Sequence, residues 1–261
     1  NGIVMSNHVL RIFTILGCTS LFVTCEQDQP VAPELNFEES LQQQLILAEP
    51  GDVILIPEGT HEITRSLSLN VPGVTIRGEG INSSILSFKN QIQGAEGFLV
   101  NADNFVIEDI AIEDTVGDAL KINESNNVTI RNVRTEWTGG ALTTNGAYGI
   151  YPVQSSNILI EGAVAIGASD AGIYVGQSTR IVVRNSVAEY NVAGIEIENS
   201  YYADVYNNYL HGNTGGILVF DLPDLVVKSG RSVRVYDNIV VDNNFRNFAP
   251  SGNVVASVPT G

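Results

Sequence analysis

The sequence is poor in positive charge and in side chains that commonly bind metals or act as nucleophiles. It has 13 Lys and Arg residues against 29 Asp and Glu residues, so its formal net charge is −16. Such a charge repels nucleic acids and anionic membrane surfaces, and we expect neither as a partner. The three histidines lie without the spacing of a metal site, and the sequence has no Ser-His-Asp set and no glycine-rich phosphate loop.

Cysteine is scarce as well, and both copies lie near the N-terminus, at Cys18 and Cys25. A domain that begins after them has no disulfide and must be stabilised by packing. The same segment has the order of a secretory signal, with Arg11 first, then an apolar run over residues 12–23 and then a polar linker. The run is too short to span a bilayer, and a short buried helix is the alternative.

These features predict three parts of the chain, namely a signal segment at 1–25, a linker at 26–35 and a folded domain at 36–261. Cys25 ends the apolar run, where a lipid-bearing cysteine would lie. Gly17-Cys18 fits the local pattern of a lipid site better but leaves a shorter run. We therefore expect an exported protein that is periplasmic, anchored to the outer membrane as a lipoprotein, or secreted.

The folded domain is predicted to begin with one amphipathic helix over residues 36–48. Asn36 can cap it, Glu39 completes a capping box, and apolar residues follow at helical spacing. A single helix before a long β array is typical of a cap, which covers strand edges and apolar side chains at the end of a stack.

From Val74 onward the chain repeats. Apolar pairs recur at intervals of 22 or 23 residues, or of 30 or 31 where a loop is longer: Val74/Ile76, Phe105/Ile107, Val128/Ile130, Ile158/Ile160, Ile181/Val183, Ala203/Val205 and Val233/Val235. Two residues after each pair comes Gly, Asn or Asp, the types that tolerate a tightly bent backbone. This period is the length of one three-strand coil. It predicts an all-β fold, a right-handed single-stranded parallel β-helix of about seven or more coils.

The segment Pro50–Thr60 (PGDVILIPEGT) resembles the opening of pectate-lyase-like parallel β-helix proteins, and the coils resemble those of exported bacterial β-helix repeat proteins. The resemblance covers residues 36–261 and implies the fold far more specifically than any activity. The sequence ends without a recognisable cap. The expectation is a domain truncated at its C-terminus, or one whose last coil is covered by a partner.

Stacking places equivalent residues of adjacent coils about 4.8 Å apart, so outward rows can be derived from the period. One row alternates in charge before it becomes aromatic: Arg77, Glu108, Arg131, Glu161, Arg184, Tyr206 and Tyr236. Because opposite charges then lie side by side, we interpret this row as a structural ladder.

A second repeat supplies the candidate site. Gly149, Gly172, Gly194 and Gly216 are expected to leave the neighbouring surface bare, so that the outward rows beside them can meet a ligand. The candidate catalytic residues are Lys121, Tyr151 and Glu196. The candidate substrate-binding residues are Trp137, Tyr148, Tyr174, Asp118, Asp170 and Glu198. Tyrosine faces beside carboxylates and an amine suit a pyranose, because the C–H faces of sugars pack on aromatic rings.

The segment Tyr148–Val153 (YGIYPV) resembles the Tyr-Gly-Phe-Asp-Pro-His motif of mannuronan C5-epimerases. Tyr148, Gly149 and Pro152 match, but Tyr151 replaces the Asp and Val153 replaces the catalytic His. The departure argues against epimerisation, since proton abstraction beside a uronate needs such a base. A tyrosine could take that role only with a lowered pKa.

No cofactor is expected. An acidic stretch could hold Ca²⁺ through oxygen ligands, although a solvated loop is the simpler interpretation. Its members are Glu108, Asp109, Glu113, Asp114 and Asp118.

Three functions remain open. The first is a binding module for polysaccharide or an envelope protein. The second is a polysaccharide lyase, epimerase or hydrolase. The third is an assembly factor for a periplasmic redox protein, against which the scarcity of His and Met counts.

Overall fold

The structure, a computed structural model, describes residues 35–259. The predicted signal segment, almost all of the linker and the proposed lipid anchor at Cys25 lie outside this range. One helix, α1 (Phe37–Leu47), precedes the strands. The Asn36 side chain accepts a hydrogen bond from the Glu39 backbone at 2.9 Å, and the Glu39 carboxylate accepts one from the Asn36 backbone. The capping box predicted from the sequence is confirmed.

Twenty-one strands follow, most of them only three to six residues long. They are β1 (Val53–Leu55), β2 (Gly59–Glu62), β3 (Arg65–Leu69), β4 (Thr75–Arg77), β5 (Ser84–Ser87), β6 (Gln93–Val100), β7 (Val106–Glu113), β8 (Leu120–Asn123), β9 (Asn126–Glu136), β10 (Tyr148–Val153), β11 (Ser156–Glu161), β12 (Val164–Ile166), β13 (Ala171–Gly176), β14 (Thr179–Arg184), β15 (Val187–Glu189), β16 (Ala193–Glu198), β17 (Tyr201–Tyr206), β18 (Tyr209–His211), β19 (Gly215–Phe220), β20 (Arg231–Tyr236) and β21 (Ile239–Val241). A short 3₁₀ helix, Val254–Ser257, closes the described chain.

The strands form a parallel β-helix, as predicted. Each strand pairs in parallel with its equivalent one coil away, and the pairs build two sheets. One sheet has seven strands in the order β3-β6-β8-β10-β13-β16-β19; the other has 14. The larger sheet is continuous because β7 and β9 are long enough to bend through two strand positions of their coil.

The apolar pairs of the sequence repeat form the interior column. Ile76 pairs with Ile107, Ile107 with Ile130, and the register continues through Ile160 and Val183 to Val205. All of these side chains are fully buried. The last coil differs, since Val235, which pairs with Val205, is 45% exposed.

The bends that follow each pair have the expected geometry. The backbone takes a left-handed φ of 48–64° at the six bends after the first, namely at Asp109, Asn132, Gly162, Asn185, Asn207 and Asp237. Asn and Asp tolerate this conformation better than other residues with a Cβ, which explains their recurrence in the sequence.

The charge ladder is also confirmed. Glu108 contacts Arg77 at 2.6 Å and Arg131 at 3.0 Å, and Glu161 contacts Arg184 at 2.8 Å. The Arg184 guanidinium donates to the Tyr206 hydroxyl, and the ring of Tyr206 stacks on that of Tyr236 with centroids 5.0 Å apart.

Inside the stack, buried polar side chains also form ladders. Asn191 accepts from the Ala168 backbone and donates to the Ala165 carbonyl at 2.9 Å, and it bonds to Asn213, which bonds to Asn243. A serine ladder links Ser125, Ser155, Ser178 and Ser200 by backbone N–H to Oγ bonds of 3.0 Å. These ladders satisfy backbone groups at the turns, where no strand pairing is available.

Among the described residues, no helix has the length and apolar character needed to cross a membrane.

A candidate saccharide pocket on the seven-stranded sheet

The seven-stranded sheet brings most of the predicted site residues together. Lys121 is the partner of Tyr151 across β8 and β10, and Tyr174 is the partner of Glu196 across β13 and β16. The neighbouring row holds Val153, Gly176 and Glu198 in register. The outward rows that the sequence repeat predicts beside the glycines are therefore present in the structure.

Three tyrosine rings form the centre of this surface. The ring centroid of Tyr148 lies 4.5 Å from that of Tyr151 and 4.6 Å from that of Tyr174, and the last two are 4.9 Å apart. Tyr148 and Tyr151 are half-buried, whereas Tyr174 is covered by the other two and is 5% exposed. The face that a ligand can reach therefore belongs to Tyr148 and Tyr151.

Lys121 lies at one side of the tyrosines and is already paired. Its Nζ is 3.5 Å from Glu96 Oε1, 3.6 Å from Asp118 Oδ2 and 5.0 Å from the centroid of the Tyr151 ring. Glu96 was not among the residues predicted from the sequence. Leu99, Lys121 and Tyr151 are register partners on adjacent strands, so the residues three positions before them, Glu96, Asp118 and Tyr148, are neighbours as well. Extending the register in this way would have identified Glu96 from the sequence.

On the other side of the tyrosines a pocket of about 310 Å³ opens. Its lining combines the site strands with a segment beyond the last strand: Ala147, Tyr148, Asp170, Glu196, Glu198, Phe220, Leu222, Gly252, Asn253, Val254 and Val255. The segment is held in place because Val255 and Phe248 are buried against Val192. Nothing in the repeat pattern indicates that residues 252–255 contribute to this surface.

Two carboxyl groups in the pocket are buried and incompletely bonded. Asp170 is 6% exposed and Glu196 1% exposed. Asp170 Oδ1 and Glu196 Oε1 have no hydrogen-bond partner in the described part of the protein. A buried polar atom without a partner costs free energy, about 1–3 kcal/mol each.

Burial dominates the acid–base properties of these carboxyls. It raises the pKa of Glu196 to about 9, and the nearby Asp170 and Glu198 add to the rise. It raises the pKa of Asp170 to about 7 although the Tyr148 hydroxyl offsets part of the effect. It raises the pKa of Asp118 to about 6 against the opposing charge of Lys121. Around neutral pH the pocket thus holds a protonated carboxyl and a partly ionised one.

The pKa values of the three tyrosines are raised, whereas a tyrosine that acts as a base needs a lowered pKa. Burial, followed by the charge of Asp118, raises the pKa of Tyr151 to about 12. Burial also raises the pKa of Tyr148 and Tyr174 above their usual range. The lowered pKa that a catalytic tyrosine would require is absent at all three positions, so their chemistry is that of hydroxyl donors and apolar faces.

Two expectations need correction. Trp137 is 4% exposed, belongs to the hydrophobic core and donates its indole N–H to the Thr115 carbonyl at 2.8 Å. It packs inside because the residues directly after β9 continue along the wall of the coil before the loop begins.

The glycines of the second repeat also point inward. A Cβ at Gly149 would lie 2.5 Å from the Gly172 carbonyl oxygen, and one at Gly194 would lie 2.6 Å from that of Gly216. These glycines allow close stacking of coils and do not bare the outer surface.

The acidic stretch proposed for Ca²⁺ is dispersed. Glu108 and Glu113 are paired with arginines, and Asp109 and Asp114 accept hydrogen bonds from Asn132 and Thr138. Within residues 35–259 no group of three or more His, Cys, Asp or Glu side chains is arranged to hold a metal ion.

The fold and the pocket define a parallel β-helix protein with an acidic pocket, lined in part by Tyr148, on its seven-stranded sheet. The model of the family described as "Periplasmic copper-binding protein (NosD)" matches residues 58–256, and the chain belongs to this right-handed β-helix family. Among curated proteins, no sequence matches the chain.

Two solved structures of bacterial enzymes share the fold. The A-module of the mannuronan C-5 epimerase AlgE4 of Azotobacter vinelandii is 22% identical with a TM-score of 0.59, over 77% of this chain and 61% of that one. The AlgE6 A-module from the same organism is 18% identical with a TM-score of 0.57, over 77% and 59%. The chain spans about three fifths of the length of these structures. At this identity the likeness concerns the fold alone.

The family description names copper, so the described residues must be tested as ligands. Copper in proteins prefers thiolate, thioether and imidazole groups. The imidazoles within residues 35–259 are those of His61 and His211. His61 stacks on Phe37 and bonds to the Pro57 carbonyl, and His211 contacts Glu189 at 2.6 Å. The two lie on coils at opposite ends of the stack, so the described residues do not fit a copper site.

Proposed function

We propose that this protein is a periplasmic β-helix protein that binds a saccharide in the pocket beside Tyr148 and Tyr151. The observation that carries the proposal is that half-buried Tyr148 lines one cavity together with the buried, incompletely bonded carboxyls of Asp170 and Glu196, while its ring packs on that of Tyr151. A volume of about 310 Å³ suits a small ligand or a unit of a longer one. Aromatic faces pack on sugar C–H groups, while carboxyl oxygens accept hydrogen bonds from sugar hydroxyls.

Charge favours a neutral or cationic saccharide over a uronate polymer. Asp170, Glu196 and Glu198 line the pocket, and its lining contains no Lys, Arg or His. A carboxylated sugar would place like charges together in a poorly solvated space, which costs free energy. The fold likeness to mannuronan epimerases therefore does not extend to their substrate, in agreement with the missing Asp and His of their motif.

Binding can be measured by calorimetry with cellotetraose as a neutral ligand and a tetrauronate as an acidic one. We expect cellotetraose to bind and the tetrauronate to bind at least tenfold more weakly. Tyr148→Ala, which removes the ring that lines the pocket, should weaken binding about tenfold, which corresponds to about 1.4 kcal/mol. The matched control is Tyr190→Ala, because Tyr190 is an exposed tyrosine, 44% accessible, that packs against His211 rather than this pocket. Equal losses in the two variants, or no binding of any saccharide, would remove this proposal.

A second candidate is hydrolysis of a glycosidic bond. It is favoured by the presence of two buried carboxyls in the lining of one pocket, where burial raises the pKa of Glu196 further than that of Asp170. Glycoside hydrolysis uses one carboxylic acid as proton donor and one carboxylate as base or nucleophile. New reducing ends released by the wild type and not by Glu196→Gln would establish it. Absorbance of unsaturated uronates would indicate a lyase instead.

Assembly of a periplasmic redox protein, the third function considered from the sequence, is in keeping with the family description. No described residue favours it over saccharide binding.

A further inference from the structure

The carboxyls of the pocket differ from those around Lys121 in having no positive partner. On the Lys121 side, an ammonium group lies 3.5 Å from Glu96, 3.6 Å from Asp118 and 5.0 Å from the Tyr151 ring centroid. On the pocket side, Asp170, Glu196 and Glu198 line the cavity together with Tyr148, and the lining supplies no cation. Carboxyl groups and a tyrosine face thus occur together on both sides. On the Lys121 side an amine lies between them, and on the pocket side that place is open.

The unbonded atoms indicate what the pocket accepts. Asp170 Oδ1 and Glu196 Oε1 belong to side chains that are more than nine-tenths buried, and both residues line the cavity. An ammonium group has three N–H donors and no acceptor, so one such group can satisfy several carboxyl oxygens at once. It also gains from the face of an aromatic ring. A hydroxyl donates only one hydrogen and leaves the charge of the pocket uncompensated.

We infer that the saccharide bound here carries a free amino group, held between Asp170 and Glu196 against Tyr148. The ligand class is an amino sugar that is not N-acylated, alone or as a unit of an oligosaccharide. This inference rests on the proposed saccharide binding and names the substrate class of the same pocket.

The electrostatics supply a pH dependence that a neutral sugar would not show. The titratable groups that face Asp170 are Tyr148, Asp118, Glu196 and Glu198, and the segment 252–255 that closes the pocket carries no charge. Asp170, with a pKa of about 7, gains its charge as the pH rises from 5 to 7.5. Affinity for an ammonium should increase over this interval, and it should fall again where the amine of the ligand loses its own proton.

The test compares three tetrasaccharides by calorimetry at pH 6.5: the β-1,4 tetramer of glucosamine, its fully N-acetylated form and cellotetraose. Acetylation removes the positive charge and leaves the sugar backbone unchanged. We expect the free amine to bind at least tenfold more tightly than the acetylated form, with a preference that increases from pH 5 and is reduced by salt. Asp170→Asn should reduce the preference to less than threefold, because it removes the carboxylate that carries the charge at this pH. Glu196→Gln should retain most of it, because Glu196 is protonated there and glutamine keeps the acceptor oxygen. Glu161→Gln, a carboxyl of the other sheet that pairs with Arg184, should retain it.

The outcomes separate this inference from the proposed function. Similar binding of all three tetramers would overturn the amine preference and leave saccharide binding intact. Binding of spermidine without binding of any tetramer would overturn the saccharide as ligand. A preference that survives in Asp170→Asn would overturn the assignment to this pair of carboxyls, with thermal melting confirming that the variant is folded.

Discussion

The ring of Tyr174 lies over the backbone of Gly176, so close that a Cβ on Gly176 would be 2.6 Å from the ring atom Cζ. The absence of a side chain at Gly176 lets Tyr174 lie along its own strand toward Glu198, the partner of Gly176 on β16. Tyr174 in turn supports Tyr151 and Tyr148, of which Tyr148 lines the pocket. The position of the ligand-facing tyrosines therefore depends on a glycine that touches no ligand.

Replacing Gly176 by alanine should displace Tyr174 and loosen the tyrosine cluster. We expect Gly176→Ala to weaken saccharide binding by about tenfold, because the supporting ring must move away from the added methyl group. Calorimetry with the same tetrasaccharide measures the loss. The control is Gly139→Ala, since a Cβ at Gly139 meets only Leu142, at 3.7 Å. Unchanged affinity in a folded Gly176→Ala variant would show that Tyr174 does not support the site.

A second prediction concerns the dependence of stability on pH. The folded protein holds the proton of Glu196 more tightly than the unfolded chain, since burial raises the pKa from 4.5 to about 9. The stability that comes from the neutral carboxyl is fully present below pH 4.5 and is lost as the pH rises through 9. Glutamine cannot ionise, so Glu196→Gln should be more stable than the wild type by about 2–4 kcal/mol at pH 8.

Urea unfolding at pH 4 and pH 8 tests this prediction. At pH 4 the wild type and Glu196→Gln should differ by less than about 1 kcal/mol, because both carry a neutral side chain. Glu62→Gln, at an exposed position on β2, should not show a difference that grows with pH. A Glu196→Gln variant that is less stable than the wild type at pH 8 would mean that the buried carboxylate is compensated by a partner.

The sequence period predicts the features that depend on the stacking of coils, namely strand register and the side chains that pair between coils. It predicts little about the loops. The pairing of Ile76 with Ile107 and of Glu108 with Arg131 follows from a repeat of constant length, because register in a parallel stack is fixed by the number of residues in each coil. Burial of Trp137 does not follow from the period, since it depends on how a non-repeating loop turns. The contribution of residues 252–255 to the pocket depends on lateral packing of Val255, which no repeat describes.

The asparagine ladder is a partial exception, and it provides a third prediction. Asn191, Asn213 and Asn243 lie at equivalent positions of successive coils, so the repeat contains the signal although their inward direction is not evident from residue type. Asn191 is fully buried and bonds to Ala168, Ala165 and Asn213. Asn191→Ala should lower the free energy of unfolding by about 2–4 kcal/mol, since it leaves several buried polar groups without partners. Urea unfolding measures the loss.

The comparison for this variant is Asn101→Ala. Asn101 is exposed and bonds to Asn70 at 3.2 Å in a ladder on the outside of the stack. Because water can replace an exposed hydrogen bond, this substitution should cost less than about 0.5 kcal/mol. Equal costs for Asn101→Ala and Asn191→Ala would indicate that the interior ladder contributes no more than a surface contact.

The charge ladder of the larger sheet allows a last prediction, which separates a structural role from binding. Glu108 is 9% exposed and lies between Arg77 at 2.6 Å and Arg131 at 3.0 Å, whereas both arginine side chains are more than 40% exposed. Such an ion pair contributes more to the free energy of unfolding than a fully exposed pair, because the carboxylate is partly desolvated. A double-mutant cycle of Glu108→Gln with Arg77→Gln should give a coupling energy of about 1 kcal/mol, smaller at high salt.

Saccharide binding should be the same in all four proteins of the cycle, since this row and the pocket lie on different sheets. A loss of binding that follows the loss of coupling would show that the ladder, and not the tyrosine pocket alone, shapes the site.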